Sequence, residues 1–99
     1  MEKDSMEFKE RLYEIMNGYF DPAQDRFPEG EIVKDEFAEG SFCSKHYEEV
    51  YDANRRICGR LGVDEDKDVE IMISGLLEIG KYQCFKMYDY GMYYSHKEQ

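Results

Sequence analysis

The residues of this 99-residue chain that could do chemistry are its acids, three cysteines, two histidines and nine tyrosines. Asp64, Asp66 and Asp68 repeat as D-x-D-x-D, the way a calcium-binding EF-hand loop opens. The sixth position of such a loop needs glycine and the twelfth a bidentate glutamate, and here they are Val69 and Gly75. Acids that complement a helix N-terminus explain the same residues. Cys43 and His46 have the C-x2-H spacing of half a zinc site, with Cys58 and Cys84 as the remaining thiols. No second close-spaced pair completes it, and Cys58 and Cys84 fall on apolar helix faces, where a free thiol behaves as a small hydrophobe. A metal or redox module at Cys43 and His46 stays open as an alternative. No GxSxG, glycine-rich phosphate loop or HExxH is present. The chain therefore reads as non-enzymatic, with no catalytic residue, cofactor or bound metal predicted.

The acids and tyrosines point instead to contacts with macromolecules. The net charge is −10. Residues 1–50 carry six basic and 14 acidic side chains, net −8, whereas residues 51–99 carry seven and nine, net −2. Such a surface repels phosphate backbones and anionic membranes, so direct nucleic-acid and membrane partners are not expected. It can present carboxylates where a nucleic-acid-binding protein expects phosphates. Glu29, Glu31, Asp35, Glu36 and Glu39 are the candidate contacts of that kind. Tyrosine offers a large apolar ring with a polar tip, which suits interfaces. Tyr88, Tyr90, Tyr93 and Tyr94 are the aromatic candidates, whereas Tyr47 and Tyr51 are expected at the core or its edge.

The elements that must position these groups are helical. A first helix is predicted over about 5–17, started by Asp4 or Ser5, with Phe8, Leu12, Ile15, Met16 and Tyr19 on one face. Pro22, Pro28, Gly30 and Gly40 break up residues 18–40, leaving room for one short helical turn near 31–38. A second helix over about 43–61 carries Tyr47, Val50, Tyr51, Asn54, Ile57, Cys58 and Leu61 at helical spacing, and Gly62 ends it. A third, over about 65–94, is apolar on most sides, which usually marks a central helix. Unbroken, it is about 45 Å long, so it either bends near Gly80 or Gly91 or projects a tyrosine-rich end. The predicted fold class is all-α, a single domain over 1–99, with helices two and three an antiparallel hairpin and helix one packed across it.

The N-terminus, MEKDSMEFKE, lacks the apolar stretch of a signal peptide, and three cysteines without disulfide-like spacing point to a reducing, cytoplasmic compartment. The layout LYEIMNGYFDP, a broken loop, and a helical pair ending in a glycine-containing apolar helix resembles small uncharacterised helical proteins of Firmicutes and their mobile elements. In size and acidity the chain is similar to phage-encoded inhibitors such as anti-CRISPR proteins. The expected function is an acidic binding protein, most sharply an inhibitor that blocks the basic groove of a nucleic-acid-processing protein. The alternative is a homodimeric interaction protein built on the tyrosine-rich third helix.

Overall fold

Each helix begins where a short polar side chain can hold the first free backbone N–H groups. The computed structural model describes residues 5–19, 29 and 32–97, and the ordered elements are α1 (Met6–Met16), α2 (Phe42–Leu61) and α3 (Lys67–Lys97), with no strand among the described residues. The Ser5 hydroxyl accepts from Phe8 N at 3.1 Å, the Ser41 hydroxyl from Ser44 N at 3.2 Å, and the Asp66 carboxylate from Val69 N at 3.0 Å. Asp66, the middle acid of the D-x-D-x-D run, is thus a helix cap. Its use as a cap moves the start of α3 two residues beyond the expected position.

The helices also stop for local reasons. Gly62 takes a left-handed conformation, and Val63 N donates to Cys58 O at 3.0 Å to close α2. Gly18, after α1, has φ +74°. A Cβ there would lie 2.8 Å from the Asp35 carboxylate, so glycine is required both for its φ and for the close approach of that acid. The Asp35 carboxylate in turn accepts from Phe37 N at 2.8 Å. This side-chain turn competes with helix formation, and residues 32–40 run as turns and bends rather than as the helical turn expected near 31–38. Glu36 N donates to Met16 O at 2.7 Å, tying this loop to the end of α1.

Packing between elements is concentrated in one place. α1 lies on α3, whereas α2 makes no comparably extensive contact with either helix. The expected packing of α2 and α3 as a hairpin is not confirmed by these contacts. The fold is elongated, 57 × 31 × 21 Å with a radius of gyration of 17.0 Å, against about 13 Å for a compact chain of this length. Cys58, 6% exposed, is the one buried hydrophobic residue among those described. Tyr47 and Tyr51, expected at the core or its edge, are about half exposed, and Phe37 meets the Tyr47 ring edge-on at 6.1 Å.

Candidate functional site: the two faces of the third helix

α3 runs unbroken through Gly80 and Gly91. Its first face is covered by α1 and is held by alternating aromatic and ionic contacts. Lys9 Nζ meets the Asp89 carboxylate at 2.9 Å, with the Lys9 side chain only 10% exposed. Lys81 Nζ lies 3.3 Å from the Glu10 carboxylate. Between these pairs Tyr13 meets Phe85 edge-on, with ring centroids 5.8 Å apart, and Phe8 meets Tyr88 at 6.4 Å. Lys9 and Lys81 each sit 5.7 Å from the Phe85 ring centre, within cation–π range. The order of the pairs shows that α1 runs antiparallel to α3.

Charge and burial reinforce this contact. Desolvation against α3 pushes the Tyr13 phenol above its ordinary range, with the nearby Tyr19 and Cys84 acting in the same direction. The hydrogen bond to Glu10 holds Lys81 above its ordinary value, because the carboxylate favours the charged ammonium. Leu12, Tyr13, Met16, Cys84, Phe85 and Tyr88 line a groove of about 90 Å³ between the helices. Small-molecule sites occupy roughly 300 Å³ or more, so this groove reads as a packing seam.

The second face of α3 lies opposite, and its described side chains are exposed. At 100° per residue, Lys81, Cys84, Phe85 and Tyr88 point toward α1 while Met72, Leu76, Ile79, Tyr90 and Tyr93 fall on the other side. Met72, Leu76 and Ile79 are 65%, 69% and 56% exposed, and Tyr82, Tyr90, Tyr93 and Tyr94 are similarly open. This face carries an aliphatic cluster toward its N-terminal end and an aromatic cluster toward its C-terminal end, with Gln83 and Lys86 between them.

The four candidate tyrosines therefore divide. Tyr88 belongs to the α1 contact, whereas Tyr90, Tyr93 and Tyr94 are exposed, with Tyr93 and Tyr94 in edge-to-face contact at 5.1 Å. The candidate acids divide as well. Asp35, Glu36 and Glu39 are exposed, but the Glu29 carboxylate is turned toward Arg11 at 3.5 Å, and its second oxygen is buried without a partner among the described residues. Glu31 lies outside the described residues. His46 meets Phe42 in a tilted ring contact, with centroids 4.3 Å apart, and sits 3.6 Å from Glu49. No three potential metal ligands gather among the described residues, where Cys43, Cys58 and Cys84 are all free thiols.

Lys9, Tyr13, Lys81, Phe85 and Asp89 hold the α1–α3 contact, and of these only Phe85 is expected from apolar spacing. Their signal was present as two i, i+4 ladders, Lys9–Tyr13 on one helix and Lys81–Phe85–Asp89 on the other. No described helix is long and apolar enough to cross a membrane. Comparison with protein-family models, curated proteins and solved structures finds no match to this chain.

Proposed function

We propose that this chain is a non-enzymatic protein-interaction module whose α3 is the central helix of an assembly. The carrying observation is that α3 is apolar on two opposite faces and its own chain covers one. Burying apolar surface contributes about 25 cal/mol per Å², so the uncovered face is a strong drive toward association. The acidic surface keeps the unassembled chain soluble. The three free thiols are in keeping with a reducing, cytoplasmic compartment. The test is photocrosslinking in the source cell from a benzoylphenylalanine placed at Leu76. A discrete crosslinked species is expected there and not from the same probe at Glu7, an exposed α1 position. Equal smears or no product from both positions would overturn the reading.

A second reading is an acidic inhibitor of a nucleic-acid-processing protein, of the anti-CRISPR or DNA-mimic type. It is favoured by Asp35, Glu36 and Glu39, exposed on one loop without a cationic partner among the described residues. Inhibition of a target nuclease should then weaken as salt rises and vanish in Glu36→Lys/Glu39→Lys, two changes that leave the Asp35 turn intact. Salt-independent inhibition, or full inhibition by that double variant, would count decisively against it.

A further inference from the structure

The exposed face of α3 has a pattern of its own. Met72, Leu76, Ile79, Gln83, Lys86, Tyr90 and Tyr93 follow one another at alternating steps of four and three residues, the spacing of a coiled-coil seam. All seven are exposed. The seam is about 32 Å long at 1.5 Å per residue. It is aliphatic at its N-terminal end, polar in the middle and aromatic at its C-terminal end. With the flanking Tyr82 and Tyr94, its apolar side chains expose on the order of 800 Å², which is what one partner contributes to a stable protein–protein interface.

We propose that this face pairs with the same face of a second copy of the chain, antiparallel, with Gln83 and Lys86 of both copies at the dyad. The inference rests on the reading of α3 as the central helix of an assembly and names the partner. The seam complements itself in this arrangement. Setting Gln83 beside Lys86 of the second copy brings Ile79 onto its Tyr90 and Leu76 onto its Tyr93 in the same register. Polar side chains then meet polar ones in two layers flanking the dyad, Gln83 against Lys86 in each, where polar seam residues fix register at a cost in stability. Large rings meet branched aliphatic side chains on either side. A parallel pairing would oppose Lys86 to Lys86 and gather the acidic starts of both helices, Asp66, Asp68 and Glu70, at one end. The antiparallel pairing keeps those acids apart and aligns the helix dipoles favourably. Both copies carry −10, so association strengthens as salt screens their repulsion, opposite to a contact between acidic and basic surfaces.

Sedimentation equilibrium of the full chain tests this. The wild type is expected to be a dimer at about 100 μM and to dimerise more tightly in higher salt. Leu76→Glu and Tyr93→Lys should each weaken the dimer about 100-fold, because each places an unpaired charge twice in the seam. Both positions are exposed, so helix content by circular dichroism should not change. An equimolar mixture of the two variants should form a heterodimer, since one Glu–Lys pair and one native Leu–Tyr pair then face each other. A dimer whose variants fail to rescue one another overturns the antiparallel register. A wild-type monomer that binds an apolar-surface dye overturns the second copy as occupant and leaves the face to a different protein. A monomer that binds no such dye overturns the interaction-module reading as well.

Discussion

Phe85→Ala should release α1 from α3 and destabilise the chain by about 2–3 kcal/mol. Removing a fully buried phenylalanine typically costs 3–5 kcal/mol, and Phe85 is half-buried, which sets the lower figure. Its ring meets Tyr13 edge-on, lies within 5.7 Å of the Lys9 and Lys81 ammonium groups and lines the groove between the helices. Three ring contacts therefore fail together, and the groove loses part of its wall. The loss is large for a chain with one buried hydrophobic residue among those described. For a domain of this size it corresponds to a fall in Tm of roughly 10–20 °C. Phe85→Leu should recover part of the loss, since it restores apolar volume but not the edge-on contact. Urea denaturation gives the free energy. Hydrogen exchange gives the location, because amides of α1 should lose protection while those near the start of α3 keep theirs. Equal protection in α1 of the two proteins would show that the contact does not depend on Phe85.

Replacing Met72, Leu76 and Ile79 together with glutamine should abolish association without unfolding the protein. All three side chains are more than half exposed, so they add little to the stability of the single chain. Glutamine, methionine and leucine have similar helix propensities and isoleucine a slightly lower one, so helix content should hold or rise. An interface would lose a cluster of apolar side chains at its aliphatic end, worth at least about 3 kcal/mol, or a hundredfold or more in affinity. The expected record is an unchanged far-ultraviolet spectrum, loss of apolar-dye binding, and loss of the complex formed by the wild type. Retained association in the triple variant would move the interaction surface elsewhere, to the exposed Tyr47, Val50 and Tyr51 of α2.

The two experiments separate the faces of one helix. A change at Phe85 acts on folding, and a change at Leu76 acts on assembly, although the residues are nine positions apart on the same element. This division explains why a helix apolar on most sides does not occupy the centre of its own chain. α1 is 11 residues long and spans about 16 Å, so it covers only part of one side of a helix of about 46 Å.

The helices themselves were legible in the sequence because their signals are local. Ser5, Ser41 and Asp66 reach backbone N–H groups three residues away, and Gly62 supplies a left-handed stop, so the boundaries lie within three residues of those predicted. The all-α class follows from the same periodicity. The partner of each face was not legible, because it depends on residues far apart in the chain. The stripe through Phe8, Leu12 and Met16 located the packing side of α1 only approximately. Lys9 and Tyr13 turn that side toward Phe85, Lys81 and Asp89, and cationic side chains are not read as core from hydrophobic spacing.

The acidic and aromatic candidates follow the same rule. Their residue types suggested interfaces, but only the tertiary structure turns Glu29 inward to Arg11, places Tyr88 against Phe8, and leaves Tyr90, Tyr93 and Tyr94 outside. By itself the sequence determined what capping, periodicity and net charge determine: three helices, their ends, and an acidic surface. Only the tertiary structure decided that α1 takes one face of α3 and that the other is open, because burial is settled by which long-range contacts form.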